Sequence, residues 1–361
     1  MASPLDEADL RARVQRHLDA ELAARAEALA PLGPDVTDLL DVVAALLAGG
    51  KRLRAAFLYW GLRAAGQPDS DAAVRCAAAM ELLQAAALLH DDVVDDSDTR
   101  RGRPAAHRVL AARHAERGWD GDSDRFGVAG AILAGNLCLA WTDEVYAGCG
   151  LPAPDLHRGR PALDRMRTEL MAGQFLDVVE SVRPWSGVPE AERVARAERV
   201  IRYKSAAYSV QGPLLVGASV GGLSGEARTL LSDYALALGH AFQLRDDLLG
   251  VFGDPEVTGK PAGDDLREGK RTVLLAHALA GSPPAAVARL EARVGSPDLG
   301  DDDVAELRAL ITRSGAPDVV EGDIARLVAD AHAALAAAPG LDPAGRSALG
   351  RLVAVATDRA T

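Results

Sequence analysis

The chain of 361 residues is 48% hydrophobic but only 4% aromatic, so it is long enough to bury one large core or two smaller ones. Alanine and leucine abound and β-branched runs are short, which predicts an all-α protein. The formal net charge of −12 argues against nucleic acid and acidic membranes as partners, although locally concentrated basic residues still allow an anionic small molecule.

Apolar periodicity and turn residues predict a series of helices along the chain. Gly49-Gly50 ends the second helix, and Lys51-Arg52-Leu53-Arg54 opens the third. A Pro-rich connection is expected at 151–161, and a long charged loop of Gly, Pro and Asp at 253–269 is suspected of function. Helices are predicted at 5–30, 35–47, 55–65, 72–95, 104–117, 128–146, 162–182, 190–211, 213–220, 226–249 and 272–280, with three more towards the C-terminus.

The apolar run 77–89 ends abruptly in carboxylates. Asp91 and Asp95 are one helical turn apart and Asp92 is adjacent, so their side chains are expected to cluster on one face. Like charges at this spacing destabilise an isolated helix by a few tenths of a kcal/mol per pair. The segment therefore predicts either a bound cation or an acidic helix end in water.

A second apolar run ends in another acidic pair, Asp246-Asp247. Two such helices facing each other could hold divalent cations, which predicts one large bundle around one central cavity. Carboxylate oxygens suit Mg²⁺, which is usually held by one or two carboxylates together with substrate phosphates. No linker is apparent, so a single domain over 1–361 is predicted, with its motifs at 49–275 and motif-free helices at 285–361.

Basic residues lie near these acidic clusters in the sequence. Each alone is typical of a solvated surface charge, but together they indicate a site for two phosphorylated ligands, one held through metal and one by cations alone. These residues are Lys51, Arg54, Arg100, Arg101, Lys204, Lys260 and Lys270.

Six motifs in order resemble the trans-prenyl diphosphate synthases (polyprenyl synthetases), geranylgeranyl diphosphate synthases in particular. The motifs are Gly49-Gly50-Lys51-Arg52-Leu53-Arg54, Asp91-Asp92-Val93-Val94-Asp95 with Arg100-Arg101-Gly102, Gly173-Gln174-Phe175-Leu176-Asp177, Tyr203-Lys204-Ser205, Phe242-Gln243-Leu244-Arg245-Asp246-Asp247, and Gly259-Lys260 with Gly263 and Gly269-Lys270. The resemblance implies an isoprenoid-synthase fold and a chain elongation. An allylic diphosphate ionises, the double bond of isopentenyl diphosphate attacks the cation, and a proton is lost.

The resemblance also implies roles for individual residues and three Mg²⁺ per active site. The metal ligands would be Asp91, Asp92, Asp95, Asp177, Asp246 and Asp247. The contacts to isopentenyl diphosphate would be Lys51, Arg54, Gln84 and Arg101, and those to the allylic diphosphate Arg100, Lys204 and Lys260. Gln174, Ser205, Gln243 and Lys270 complete the substrate-binding set, and Lys204, Gln243, Asp91 and Asp246 are the residues taken to be catalytic.

Metal and lysine would neutralise the charge that grows on the leaving diphosphate, a stabilisation of several kcal/mol. The released diphosphate would remove the proton, so no protein base is named. Because water would quench the cation, the loop 253–269 is a plausible lid over the site.

Four positions depart from the common pattern of this family. Gly250 stands where the second acidic cluster often has a third Asp, and Ser205 replaces the usual Thr. Ala55 replaces a frequent Pro, and Asn136 follows Gly135 where Gly-Asp is familiar.

Product length depends on the residues one turn before Asp91. Ala86 and Ala87 stand where relatives that make farnesyl diphosphate tend to carry a bulky aromatic residue, so the growing chain could extend towards Leu83 and Met80. Geranylgeranyl diphosphate is therefore the favoured product. The alternative interpretation is that these alanines only let two helices pack closely.

Two other functions remain open. A terpene cyclase is also helical and Asp-rich, but it usually has a different second metal motif and an aromatic pocket. A non-catalytic regulatory subunit usually lacks the Asp motifs that are present here. A homodimer is expected from the resemblance alone.

Compartment is predicted from cysteines and hydropathy. Cys76, Cys138 and Cys149 lack metal-site spacing, and their odd number favours reduced, buried thiols. Neither a signal peptide nor an uncharged apolar run of about 18 residues is evident. A cytoplasmic protein without an integral membrane segment is therefore expected.

Overall fold

The computed structural model describes residues 3–253 and 263–357, and their regular structure is almost entirely helical. The all-α prediction is thus confirmed. The helices are α1 Leu10–Leu29, α2 Thr37–Leu47, α3 Leu53–Ala64, α4 Asp71–Val94, α5 Ala106–Glu116, α6 Ser123–Ala147, α7 Ala153–Val182, α8 Glu190–Val200, α9 Gly212–Val220, α10 Gly225–Phe252, α11 Asp264–Arg267, α12 Val273–Ala280, α13 Pro284–Arg293, α14 Asp301–Arg313, α15 Ala316–Ala337 and α16 Pro343–Thr357.

The observed elements correct the predicted boundaries in three places. The Pro-rich stretch 151–161 is largely helical: Pro154 lies in the first turn of α7, where a missing N–H is tolerated, and Pro161 lies inside the helix. The predicted helix 190–211 divides into α8 and a π-helical segment, Ile201–Gln211. The part of the chain described beyond α12 holds four helices rather than three.

A small hairpin between α4 and α5 was not predicted. Its strands β1, Thr99–Arg100, and β2, Arg103–Pro104, are antiparallel, with Arg100 opposite Arg103. The two loop residues, Arg101 and Gly102, both have positive φ, +54° and +72°. This is the pattern of a type I′ turn, which joins two-residue hairpins. A two-residue strand is too short to show period-2 alternation, so the sequence gives little sign of it.

Contacts between residues divide the chain into two compact units. The first comprises Met1–Leu163, Pro213–Arg228 and Gly340–Arg351, and the second comprises Asp164–Gly212, Thr229–Pro339 and Leu352–Thr361. The single domain expected over 1–361 stays a prediction.

In the first unit, α3 and α4 form the core. Ten of the twelve residues of α3 are buried. Two glycines let α3 and α9 approach backbone to backbone, since a Cβ would lie 2.5 Å from the Leu214 carbonyl oxygen at Gly61 and 2.0 Å from the Leu58 carbonyl oxygen at Gly217. A larger residue at either position would force these helices apart.

In the second unit, side chains of α10, α12, α14 and α15 form a continuous apolar core. Glycines hold the π-helical segment closely on two sides. A Cβ at Gly173 of α7 would lie 2.4 Å from the Lys204 backbone nitrogen, and one at Gly239 of α10 would lie 2.7 Å from the Ala206 Cα. The backbone around Lys204 is therefore closely confined.

All three cysteines are buried and free, as predicted. Two helices, α4 and α6, are long and apolar enough by length and composition to cross a membrane. The apolar window of α4 is 72% buried and that of α6 is 39% buried, and core helices of soluble proteins pass the same test.

Candidate active site

The first acidic cluster lies at the C-terminal end of α4. Asp91 and Asp95 are half-buried and one turn apart, whereas Asp92 is only 2% exposed. Asp92 accepts a hydrogen bond from Arg100 Nε at 2.7 Å, and Arg100 Nη2 lies 3.2 Å from Asp91 Oδ2. Arg100 thus bridges Asp91 and Asp92, which are adjacent in sequence and lie about 100° apart round the helix. The expectation that all three carboxylates share one face stays a prediction.

Arg100 and Asp92 form a largely buried ion pair, with 16% and 3% of their side chains exposed. Burial raises the pKa of Asp92, and the neighbouring guanidinium opposes that rise. The chain turns back directly after α4 and so brings Arg100 beside the helix end: Asp96 has a φ of +51°, and the Ser97 backbone nitrogen donates to the Asp92 carbonyl oxygen at 2.9 Å.

The next residue, Arg101, faces the basic loop Gly49–Arg54. It donates to the carbonyl oxygens of Leu46 at 3.2 Å and Gly49 at 3.3 Å, and its guanidinium lies against Gly50. Burial lowers the pKa of Arg101, and the positive charges of Arg52, Arg100 and Arg54 lower it further. Cations thus concentrate in this unit of an acidic chain, which is what an anion-binding site requires.

Within this loop the two candidate diphosphate contacts flank a buried residue. Lys51 is exposed and Arg54 is half-buried, but Arg52 between them is 5% exposed and has a left-handed φ of +57°. The Arg52 guanidinium donates to Glu81 Oε2 on α4 at 3.2 Å. The buried ion pair between Arg52 and Glu81 therefore anchors the basic loop to α4.

One face of α4 combines candidate substrate and metal residues. Gln84, Ala87, Leu88 and Asp91 recur at helical spacing, and all are only half-buried. Ala86 lies on the other side and is fully buried, as are Met80 and Leu83. Of the two alanines, only Ala87 shares the accessible face with Asp91.

In the second unit, Lys204 Nζ donates to Asp177 Oδ2 at 2.6 Å, and both side chains are about 20% exposed. The close approach at Gly173 places the π-helical segment against α7, so that this pair can form. Gln174 and Ser205 are half-buried nearby in the sequence. The structure thus unites a predicted metal ligand with a predicted diphosphate contact.

The second acidic cluster lies on α10. Asp246 is half-buried, and Asp247 is 5% exposed and accepts a hydrogen bond from Gln243 Nε2 at 2.8 Å. Burial raises the pKa of Asp247 to about 8, and the like charges of Asp265 and Asp246 add to the rise. Burial and these like charges therefore favour the protonated form of this carboxyl in the metal-free chain.

Gly250, where a third Asp was expected, lies against a different carboxylate. A Cβ at Gly250 would lie 2.1 Å from Asp265 Oδ2, and Asp265 is 7% exposed. Lys270 Nζ lies 3.4 Å from Asp265 Oδ1 and 2.5 Å from Glu268 Oε2. The second cluster thus has a third acidic neighbour from α11, and Lys270 is paired with acids in the same segment.

Two predictions concern the chain between the described ranges. Lys260 lies outside the described residues, as does most of the loop 253–269 that was predicted to act as a lid. Both stay predictions.

Within residues 3–253 and 263–357, no three His, Cys, Asp or Glu side chains are grouped closely enough to hold a metal ion by themselves. The oxygen donors on offer are half-buried carboxylates, Asp91 with Asp95 in the first unit and Asp246 in the second. Each unit by itself thus offers one or two accessible carboxylates, which fits Mg²⁺, because that ion keeps several waters and takes few protein ligands when substrate phosphates are present.

Two site-supporting residues, Glu81 and Asp265, were missed by sequence reasoning. Glu81 is the only charged residue in the apolar run 77–89, which is a signal of a specific buried partner. Asp265 carries no comparable signal, because its contact with Gly250 joins segments that no periodicity connects.

Known proteins are similar to this chain over most of its length. The profile of the polyprenyl synthetase family matches residues 36–311. Geranylfarnesyl diphosphate synthase from Aeropyrum pernix is 32% identical over 64% of this chain and 67% of its own length. (2E,6E)-farnesyl diphosphate synthase from Mycobacterium tuberculosis is 31% identical over 73% of this chain and 67% of its own.

A solved structure is similar over nearly the whole chain. It is geranylgeranyl pyrophosphate synthase from Corynebacterium glutamicum, complexed with isoprenyl diphosphate and magnesium. It is 40% identical, with a TM-score of 0.90 over 96% of this chain and 98% of its own. The relatives thus share a chemistry, but their names give three different product lengths.

Proposed function

This chain belongs to the polyprenyl synthetase family and is a trans-prenyltransferase, and on that premise we propose that it condenses isopentenyl diphosphate with an allylic diphosphate, head to tail, into a longer prenyl diphosphate. The observation that carries the proposal is the first unit, where half-buried carboxylates end α4 and Arg101 is crowded by three other arginines. Such a region offers both metal-mediated and direct binding of diphosphate.

Asp91 and Asp95 of the first cluster and Asp246 and Asp247 of the second would hold Mg²⁺, with three ions per site proposed from the family resemblance. When bound, the metal would supply neutralisation of the charge that develops on the leaving diphosphate. Asp92 contributes by orienting Arg100, to which it is bound in this structure. Asp177 has the corresponding relation to Lys204.

The candidate cations for the allylic diphosphate are therefore preorganised by carboxylates. Arg100, Lys204 and Lys270 each have an acidic partner in this structure, and Lys260 is proposed to join them. Fixed donors stabilise a developing negative charge without reorganisation at the moment of reaction. Lys51, Arg54, Gln84 and Arg101 would hold isopentenyl diphosphate, and the released diphosphate would take the proton.

The direct test is incubation of the purified protein with Mg²⁺, isopentenyl diphosphate and farnesyl diphosphate, followed by sizing of the products. An elongated prenyl diphosphate is expected. A cyclised hydrocarbon from farnesyl diphosphate alone would indicate a terpene cyclase. Absence of turnover, combined with an effect on an added active homologue, would indicate a regulatory subunit, and either result would overturn the proposal.

We further propose that geranylgeranyl diphosphate is the product, since Ala87 offers only a methyl group on the face of α4 that carries Asp91. Ala87→Phe should shorten the product by about one isoprene unit, because the ring would block the path of the growing chain. Ala87→Ser, which adds little volume, is the matched control and should leave the product unchanged. If Ala87→Phe left the distribution of product lengths unchanged, the residue that limits product length would lie elsewhere.

A homodimer and a cytoplasmic location complete the proposal. Four apolar side chains of α7 recur at helical spacing and are exposed: Met171, Phe175, Val178 and Val182. An apolar face of this kind supports association with a second copy. Light scattering should give twice the chain mass, and a Phe175→Glu variant should shift it towards the monomer.

A further inference from the structure

Glu81 is a carboxylate inside the apolar part of α4, with only 6% of its surface exposed. It accepts two hydrogen bonds, one from the Ala55 backbone nitrogen at 3.1 Å and one from the Arg52 guanidinium at 3.2 Å. A buried charge is costly unless it is paired and hydrogen-bonded. The carboxylate can therefore adopt few other positions.

Arg52 is equally confined. Its side chain is 4% exposed and also donates to the Leu47 carbonyl oxygen and the Gln15 amide oxygen. Its backbone has a φ of +57°, which costs a residue with a side chain about 1 kcal/mol or more. The three acceptors hold this unfavourable turn in place immediately before α3.

These contacts fix the start of α3. The first N–H groups of a helix have no acceptor within the helix, and α3 begins at Leu53. Glu81 supplies an acceptor to the third residue, Ala55, from a neighbouring helix. The first turn of α3 is thereby tied to α4 at a defined register.

The same contacts control where the flanking basic residues lie. Lys51 directly precedes Arg52, and Arg54 directly precedes Ala55, so the backbone of each is joined to a residue that Glu81 holds. Gln84 is one turn beyond Glu81 on α4. One buried carboxylate thus relates the basic loop to the helix that carries the third candidate contact for isopentenyl diphosphate.

We propose that Glu81 and Arg52 are positioning residues for the isopentenyl diphosphate subsite, setting Lys51 and Arg54 against Gln84 without touching the substrate themselves. This inference rests on the proposed function. It predicts an effect that is selective for one of the two substrates, which a purely structural ion pair would not produce.

The test compares Glu81→Gln and Arg52→Lys with the wild-type protein. The amide keeps the shape of Glu81 but cannot balance the charge of Arg52, and lysine cannot reproduce the fork of an arginine. In both variants the KM for isopentenyl diphosphate should rise about tenfold or more, while kcat and the KM for the allylic diphosphate stay within about twofold. Titration calorimetry with isopentenyl diphosphate in EDTA should show the same loss without turnover.

The matched control is Arg75→Lys, which alters another ion pair of the same helix, between Arg75 and Glu21 at 2.6 Å. Arg75 lies outside the basic loop, so neither KM should change. Equal loss for both substrates, or a lowered melting temperature with no change in either KM, would overturn the positioning role.

The outcomes separate this inference from the proposed function. A wild-type protein that makes no elongated product contradicts the proposed function itself. An active wild type with an unchanged KM in both variants contradicts only the positioning role. Should Glu81→Gln fail to fold by circular dichroism, Arg52→Lys, which retains the charge, carries the test.

Discussion

The two acidic clusters have the same Asp-Asp sequence but differ in what balances their buried carboxylate. Asp92 on α4 is paired with Arg100, whereas Asp247 on α10 has an amide, Gln243, and the like charges of Asp246 and Asp265 around it. The first cluster is neutralised by an arginine of its own unit. In the second, burial and like charges favour the protonated form of the buried carboxyl.

This difference shows that two copies of the same sequence motif can have different electrostatic environments. The carboxylates share their spacing because both sit on helices, but the surrounding segments decide their charge state. In the first unit the turn that follows α4 brings an arginine back to Asp92, and in the second a short helix, α11, brings another acid against Gly250. Each contrast can be tested separately.

The largest effect is expected from removing one half-buried carboxylate of each cluster. Asp91→Ala and Asp246→Ala should each lower kcat by about a hundredfold or more, because the developing diphosphate charge loses a metal contact. Circular dichroism should show an intact helical fold. Asp302→Ala, at an exposed position of α14, is the control and should retain full activity. Normal turnover in Asp91→Ala or in Asp246→Ala would show that the corresponding acidic cluster does not take part in catalysis.

The next effect concerns pH and the metal-free protein. The pKa of folded Asp247, about 8, lies above its ordinary value of 3.8, so the folded state keeps a proton that the unfolded state releases. The contribution of Asp247 to the free energy of unfolding in EDTA should therefore be fully present below pH 4 and be lost as the pH rises to 8, a change on the order of several kcal/mol.

Asp247→Asn should flatten that profile, since asparagine has no proton to lose. Urea unfolding at pH 5, 6.5 and 8 measures the difference, and Asp302→Asn provides the reference. Parallel curves for wild type and Asp247→Asn would mean that Asp247 is ionised in the folded protein throughout this range.

A smaller loss of stability is expected from Arg100→Met. Asp92 would remain buried beside Asp91 without its counter-ion, at a cost of about 2–3 kcal/mol in the free energy of unfolding. Adding Asp92→Asn should recover part of this loss. Arg108→Met is the matched control, because its partners Asp96 and Asp98 are 82% and 76% exposed, and it should cost about 0.5 kcal/mol or less. Equal losses of unfolding free energy in Arg100→Met and Arg108→Met would show that Arg100 does not act as the counter-ion of Asp92.

The smallest effect tests the contact between Gly250 and Asp265. Alanine is favoured over glycine in a helix by about 1 kcal/mol, but here its Cβ would meet the Asp265 carboxylate at 2.1 Å. Gly250→Ala should therefore destabilise by about 1 kcal/mol, whereas Gly322→Ala in α15, with open space around it, should stabilise by a similar amount. Thermal unfolding of both gives the comparison, and a gain at both positions would show that Asp265 moves aside freely.

Sequence reasoning identified the helices and the charged motifs because both depend on local spacing. Asp91 and Asp95 lie one turn apart at the end of α4, as helical periodicity predicts. The roles assigned to Lys51 and Arg54 from their position after Gly49-Gly50 stay predictions. Sequence reasoning failed where a contact joins distant segments. That Asp92 binds Arg100, and that Asp265 fills the space at Gly250, depends on the turn after α4 and on a short helix, and no periodicity encodes the packing of either.

The π-helical segment Ile201–Gln211 has a consequence for how this chain tolerates insertions and deletions. Each residue of an α-helix advances about 100° around the axis. In the π-helical segment each residue advances by a smaller angle, because its hydrogen bonds join residues five apart. Deleting one residue between Ser205 and Gln211 should let the helix tighten and swing Lys204 away from Asp177. The direction in which the Lys204 side chain points therefore depends on the number of residues in the π-helical segment. Deleting one residue there should be harder to tolerate than most substitutions.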